Sequence, residues 1–192
     1  MNKDYTQDIA AYFQRLKSTV DRLSLTDINQ VMTVLEQARD AGKMIFIMGN
    51  GGSAATASHY VCDFNKGISL NQEKKYKFLC LNDNLPSMMA YANDLSYDGI
   101  FVNALNTYFQ SGDVVIGISG SGNSTNVLRA IEYANLHGGI TIGLSGYDGG
   151  KLKRMARYNI HVPVDDMQIT EDLHMVLDHC MMKILSSDSG AC

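Results

Sequence analysis

The chemistry legible in this chain sits in two glycine- and serine-rich turns and two pairs of ionisable residues. GNGGSAATASH, residues 49–59, directly follows the apolar run MIFIM. Its glycines at 49, 51 and 52 let the backbone turn tightly and approach a ligand, and Ser53 can open the next helix. SGSGNSTN, residues 119–126, follows VVIGI and precedes VLRAIEYAN. A strand-to-helix junction of this composition offers hydroxyls and free helical N–H groups to an anion, with Ser119, Ser121 and Ser124, joined by Thr125, as the natural contacts. The alternative is an ordinary Gly/Ser loop with a Ser or Asn cap. Neither turn is GxGxxG or GxxxxGK[ST], so no nucleotide cofactor is expected. The second turn holds no lysine or arginine. A ligand there is bound by neutral dipoles, which suits a phosphate monoester better than a polyphosphate with Mg²⁺.

His59 and Asp63 are four residues apart in a helical stretch and share a face. Glu171, His174 and Asp178 follow one stripe of the last helix, and His179, eight positions after Glu171, lies near the same side. Glu171 and His179 can therefore face one site two turns apart. Acids and histidines in apolar helices are costly unless paired or used. The competing reading is a helix cap at Glu171, surface exposure for Asp178 and hydrogen-bonded core histidines. Spacing alone does not bring His59/Asp63 to Glu171/His179; the fold must.

The elements able to position these residues follow from the apolar pattern. Short apolar runs predict strands at 44–48, 77–81, 114–118, 140–144 and 158–162. Amphipathic stretches predict helices near 53–66, 86–92, 98–109, 123–137, 150–155 and 168–187, the grammar of an open parallel α/β sheet. Before them, Ile9, Ala10, Phe13, Leu16 and Val20, then Ile28, Val31, Met32, Leu35 and Ala38, recur at helical spacing across a turn at Ser24–Asp27. This N-terminal pair packs either outside the sheet or against another subunit. Gly42, Gly112 and Gly138–Gly139 punctuate the connections, and with prolines only at 86 and 163 no linker divides the chain.

Composition narrows the function classes. The chain has 192 residues, 45% hydrophobic, with a formal net charge of −4. That length supports one domain with a real core, and disorder is not expected. Four cysteines, Cys62, Cys80, Cys180 and Cys192, form no CxxC pair and no disulfide framework. No leader or membrane-spanning run stands out, so a cytoplasmic protein is expected. The clusters Lys74–Lys75 and Lys151–Arg154 are too short to offer a face to nucleic acid.

GNGGSAATASH, NDLSYDGIF at 93–101, GDVVIGISGSGNSTNV at 112–127, GYDGGKL at 146–152 and EDLHMVLDH at 171–179 together resemble the sugar isomerase (SIS) domain family, and within it the phosphoheptose isomerases. The resemblance covers nearly the whole chain. It implies a single domain over residues 1–192, a three-layer, flavodoxin- or Rossmann-like sandwich around a five-stranded parallel sheet, with residues 1–41 as an N-terminal helical extension. It also implies a homotetramer with sites between subunits. The implied reaction interconverts sedoheptulose 7-phosphate and D-glycero-D-manno-heptose 7-phosphate through an enediol(ate), in lipopolysaccharide or related surface-polysaccharide synthesis. The serine loop, Ser119, Ser121 and Ser124, would hold the phosphate, assisted by Asn50, Gly51 and Ser53, and Glu171 would also contact the substrate. Asp94 would orient a sugar hydroxyl or cap a loop, and Asp166, Gln168 and Thr170 would line the entrance, Thr170 serving equally as a helix N-cap.

The resemblance further assigns an essential glutamate to the position held here by Asp63 and a catalytic histidine to His179. In some members zinc is bound at the positions of His59, Asp63, Glu171 and His179. Two of these depart from the family residue, Glu to Asp at 63 and Gln to Glu at 171. The shorter Asp63 displaces a base by about 1 Å, a shift able to cost roughly a hundredfold in rate. Glu171 adds charge, and two carboxylates with two histidines suit a divalent metal. Two alternatives accompany this reading: isomerisation of another phosphosugar, and a non-catalytic SIS protein, either a sugar-phosphate sensor or an adaptor for a replication-initiation protein.

Overall fold

The computed structural model describes residues 3–187; Cys192 lies outside them. Five parallel strands, β1 (Ile45–Met48), β2 (Phe78–Cys80), β3 (Val114–Ser119), β4 (Ile140–Ser145) and β5 (Tyr158–His161), form one sheet in the order β2-β1-β3-β4-β5. The register pairs Phe46 with Val115 and Ser119 with Ser145, so the ends of β3 and β4 lie level. The helices are α1 (Thr6–Val20), α2 (Leu25–Asp40), α3 (Gly52–Cys62), α4 (Leu85–Asp94), α5 (Ile100–Tyr108), α6 (Thr125–Leu136), α7 (Gly150–Met155) and α8 (Met167–Ser187).

The strands are apolar on both faces because both are covered. Ile45, Ile47, Ile116, Ile118, Ile142 and Leu144 share one core with residues of α2, α3 and α8. Phe46, Met48 and Val115 turn to the other face, against α5, α6 and α7. Each such side chain contributes about 1.5–3 kcal/mol on burial, which is what makes near-continuous apolar runs read as strands. The three-layer arrangement expected from the sequence is the one observed.

Both signature turns leave the carboxyl ends of adjacent strands, β1 and β3. The order reverses there, since β1 connects outward to β2 and the chain then returns to β3 on the other side. A crevice opens at such a switch point in parallel sheets.

The N-terminal pair divides unequally. Ser24 caps α2, its hydroxyl accepting from the Asp27 N–H at 3.3 Å, and α2 buries Ile28, Val31, Val34, Leu35 and Ala38. In α1 only Thr19 is buried, and Ile9 and Phe13 stand 55% and 61% exposed. Helix α1 is instead tied to the start of α8 by polar contacts: Tyr12 Oη donates to Asp172 at 2.5 Å, and Arg15 pairs with Asp166 at 2.8 Å.

Candidate active site

The first turn closes through Gly51, whose φ of +55° with ψ of −123° is a conformation that glycine takes without strain, and α3 starts at Gly52. Ser53 is buried in that first turn. Asn50 is fixed from two sides: its Nδ2 donates to Asn126 Oδ1 at 3.0 Å, and its Oδ1 accepts from Asn126 Nδ2 at 2.9 Å and from Tyr97 Oη at 2.7 Å. Asn126 and Tyr97 were not singled out from the sequence. Asn126 could have been, since it closes the serine turn and a buried amide needs a partner.

The second turn sets the hydroxyls of Ser119 and Ser124 3.0 Å apart at the start of α6. Asn50, Ser53, Ser119, Ser121, Ser124 and Glu171 line one small cavity of about 170 Å³ together with Gly120, Ile118 and Met167. No lysine or arginine reaches this lining. Thr125 is exposed and outside it, as are Asp94, on the last turn of α4, and Gln168.

The turn is braced from behind by residues 146–152. Gly146 N–H donates to Gly120 O at 2.8 Å, Leu152 N–H to Gly122 O at 2.9 Å and Lys151 N–H to Asn123 Oδ1 at 3.2 Å. The late GYDGGKL segment is therefore a buttress for the serine turn.

The second half of the site lies farther along α3 and α8. Gly52 lies against Glu171, and seven and eight residues on His59 lies against His179, so the two helices run side by side in the same direction. The fold thus brings His179, but not Glu171, to the His59/Asp63 pair. His59 Nε2 and His179 Nε2 are 3.0 Å apart, and Asp63 Oδ2 lies 3.6 Å from the first and 4.0 Å from the second. Asp63 opens a π-helical turn, Asp63–Ile68, in which Ser69 N–H and Oγ both bond to Phe64 O. Such turns are rare and frequently sit at functional sites.

The three donor atoms of His59, Asp63 and His179 all lie within 4.8 Å of one another. A tetrahedral ion with bonds near 2.1 Å needs donors roughly 3.4 Å apart, so the triad fits a zinc-type ion with shifts of a few tenths of an ångström. Glu171 is not in this group. Its carboxylate lies over Gly52, where a built Cβ would meet Oε2 at 2.3 Å and Oε1 at 2.6 Å.

Two residues on α8 depart from the competing reading of this helix. Asp178 is fully buried rather than exposed, with neither carboxylate oxygen hydrogen-bonded. Burial, then the nearby Asp63 carboxylate, pushes its pKa up to about 8. His174 is also buried and neither ring nitrogen has a hydrogen-bond partner, and burial pushes its pKa down to about 4. At the helix start, Asp166 rather than Thr170 is the cap: Asp166 Oδ1 accepts from Ile169 N–H at 3.2 Å, while Thr170 is buried and donates to Asp166 O at 2.7 Å.

These two groups predict how stability varies with pH. Asp178 titrates higher folded than unfolded (about 8 against 3.8), so its contribution is complete below 3.8 and is lost as pH rises through 8. His174 titrates lower folded than unfolded (about 4 against 6.5), so its contribution is complete above 6.5 and is lost as pH falls through 4. The two slopes oppose between 4 and 6.5. Above 6.5 the Asp178 slope acts alone, at up to about 1.4 kcal/mol per pH unit. Urea midpoints should therefore fall between pH 6.5 and 8 in the native chain and stay level in Asp178→Asn. An equal fall in the variant would assign the slope to other groups.

A parallel sheet with a crevice at the β1/β3 switch, a serine-lined cavity in it and no dinucleotide fingerprint define a doubly wound α/β domain of a type other than the dinucleotide-binding one. Residues 4–146 match the SIS domain family, and the chain belongs to it. It is 38% identical over 143 residues to a phosphoheptose isomerase of Fusobacterium nucleatum, covering 74% of this chain and 72% of the relative. To the phosphoheptose isomerase of Helicobacter hepaticus it is 35% identical over 163 residues, covering 85% of this chain and 83% of that one. The solved structure of a phosphoheptose isomerase from Neisseria gonorrhoeae superposes with a TM-score of 0.87 at 27% identity, over 96% of this chain and all of that one.

Proposed function

We propose that this chain is a phosphosugar isomerase that interconverts sedoheptulose 7-phosphate and D-glycero-D-manno-heptose 7-phosphate. The observation that carries the reading is the placement of a serine-lined cavity of phosphate size, with no lysine or arginine in its lining, and an acid/base cluster along the same helix pair. Similarity to the phosphoheptose isomerases supports it.

The cavity takes the phosphate on Ser119, Ser121 and Ser124, with the first turns of α3 and α6 directing N–H groups at it. Ser53 and Asp63 are ten residues apart, or roughly 15 Å along the axis, and helical side chains lean back toward the N-terminus. Within the cluster His59 is seven residues beyond Gly52, about two turns or roughly 10 Å, so a sugar anchored at the first turn must span that length, which favours a hexose or heptose phosphate over a triose phosphate.

In the ketose-to-aldose direction the Asp63 carboxylate removes a proton from C1, and the electron pair forms the C1–C2 double bond of the enediol(ate). His179 gives a proton to O2 and takes one from O1. The proton held by Asp63 then returns to C2, leaving the carbonyl at C1. An imidazole suits the oxygen-to-oxygen transfer because it exchanges protons near neutrality. His59, Asp63 and His179 are the residues to hold a divalent ion such as zinc, with Glu171 as a fourth donor, and when bound the ion would polarise the sugar oxygens.

The whole chain acts as one SIS unit, in the cytoplasm, with no nucleic-acid or membrane partner; no described helix is long and apolar enough to cross a membrane. It assembles as a homotetramer, and the exposed ridge Tyr5, Ile9 and Phe13 on α1 offers apolar surface for a second copy.

The test is incubation of the purified chain with sedoheptulose 7-phosphate, following the aldose by NMR beside His179→Asn. Conversion by the wild type and a loss of about a hundredfold or more in the variant is the expected result, the scale of a single acid/base group. Phosphate-ester binding without turnover, across metals and substrates, would point to the sensor or adaptor reading instead.

A further inference from the structure

Tyr97 is 56% exposed, yet its hydroxyl reaches back into the site and donates to Asn50 Oδ1 at 2.7 Å. No step of the proposed reaction uses it. Its significance follows from the polarity of the amide pair that it joins. Val127 N–H can only donate, and it meets the Asn126 side chain at 2.9 Å, so the atom it meets is Oδ1. Asn126 Nδ2 must then face Asn50, where Oδ1 receives it at 2.9 Å. Turning either amide over would set two NH₂ groups against each other. With the Tyr97 hydroxyl added, both lone pairs of Asn50 Oδ1 are taken. One hydrogen of Asn50 Nδ2 goes to Asn126 Oδ1 at 3.0 Å. A single N–H remains, on a side chain that lines the cavity with Ser53, Ser119 and Ser124.

The same hydrogen bond ties down a loosely held arm. Helix α4 contains no buried residue, and a cavity of about 660 Å³ lies between it, α5 and the end of β2, lined by Leu79, Met88, Tyr91, Ile100 and Ala104 among others. Among the described residues, Tyr97 to Asn50 is the only side-chain hydrogen bond from residues 85–98 to a distant part of the chain.

We propose that Tyr97 is a positioning residue for anion binding: it fills the Asn50 carboxamide oxygen, so that one N–H is all that Asn50 offers the cavity, and it links occupancy of the cavity to the hold on α4. This assignment rests on the phosphosugar isomerase reading, in which that cavity takes the phosphate. Without the Tyr97 hydroxyl, Asn50 Oδ1 keeps an unused lone pair beside the anion, and one of the bonds that orient the amide is gone. An N–H engaged by phosphate makes its own carbonyl a better acceptor, because bonded groups polarise one another, so the Tyr97 bond tightens as the cavity fills. Linkage makes the effect reciprocal, and the hold on α4 tightens phosphate by the same factor.

The experiment is a double-mutant cycle on the full chain: Tyr97→Phe, Asn50→Ala and the two together. Binding of inorganic phosphate is read by calorimetry, and amide exchange across Leu85–Asp94 by mass spectrometry. Tyr97→Phe removes one hydroxyl from an exposed ring, and its urea midpoint should match that of the wild type. Phosphate should bind this variant about fivefold more weakly, the scale of one hydrogen bond. In the Asn50→Ala background the same change should have no further effect. Saturating phosphate should slow exchange in α4 of the wild type by up to the same factor, and should leave it unchanged in Tyr97→Phe. With the sugar phosphate, the loss should fall on KM rather than kcat. An unchanged phosphate constant in Tyr97→Phe, the same loss in the Asn50→Ala background, or no phosphate binding by the wild type would each overturn the proposal. Turnover of the heptose phosphate, measured separately, distinguishes the failures. Turnover with an unchanged Tyr97→Phe constant removes only the positioning role, and the expected cycle without turnover removes the isomerase reading and leaves the positioning role in place.

Discussion

Asp63→Asn should lower kcat by about a thousandfold and leave KM nearly unchanged, because it removes the proton acceptor of the proposed mechanism while keeping size and polarity. The Asp63 side chain is largely buried and its Oδ2 sits 3.6 Å from His59 Nε2, so an amide fits the space without the basicity. Asp63→Glu is the informative companion. The longer side chain keeps the carboxylate, so the loss should be about a hundredfold or less, the scale of a 1 Å displacement of the base, and clearly smaller than that of the amide. Initial rates by NMR at saturating sugar phosphate decide it. An Asp63→Asn enzyme with wild-type kcat would move the base elsewhere, and His59, exposed on the same face, would be the next group to test.

Gly122→Ala should cost roughly 2–5 kcal/mol of stability, from a left-handed backbone worth about 1–2 and a clash worth about 1–3. Gly122 has φ of +66°, and an added Cβ would lie 2.1 Å from Gly149 O and 2.6 Å from Gly149 C. These are backbone atoms of the buttress and cannot rotate away. The serine turn must separate from residues 146–152, breaking the Leu152–Gly122 hydrogen bond and misplacing Ser121 and Ser124. KM for the sugar phosphate should rise by about tenfold, the equivalent of one or two lost hydrogen bonds. Gly51→Ala is the control: φ is +55° there but nothing lies within 4 Å of a Cβ. Its cost is backbone strain alone, about 1–3 kcal/mol. Urea denaturation and KM measured on both variants separate the two mechanisms. Equal stability losses, with no rise in KM for Gly122→Ala, would remove the buttress from the binding argument.

Much of the scaffold was legible because a parallel sheet buried on both faces leaves an unambiguous mark. Each strand read from an apolar run begins and ends within a residue of its observed position, and the last helix, expected at 168–187, spans Met167–Ser187. The site was legible as parts. Ser119, Ser121 and Ser124 could be placed together because one turn holds them, and His59 with Asp63 because one helix does. What escaped depends on contacts distant in sequence. The π turn at Asp63 has no local pattern; Gly67 within it accepts close approach of Met182 from α8, where a Cβ would meet Met182 Cε at 2.5 Å. Asp178 looked like a surface acid because burial of a lone carboxyl is costly, and only its neighbours on α3 reveal that it is enclosed. Glu171 was expected both at the substrate and beside the histidines, and the missing Cβ of Gly52 lets it rest on the substrate side, in the cavity lining. The α1 stripe was read correctly as apolar, but its period does not say whether this chain or another covers it.

The absence of any cation around the serine cavity bears on how a reversible catalyst empties itself. Substrate and product of an aldose–ketose exchange carry the same phosphate, so a strong ionic clamp would retain both equally and slow departure in either direction. On the proposed function, dipoles and hydroxyls, each worth about 0.5–1.5 kcal/mol net, would hold the anion by geometry and let it go one bond at a time. The cradle at Ser119–Ser124 is thereby matched to traffic as much as to affinity.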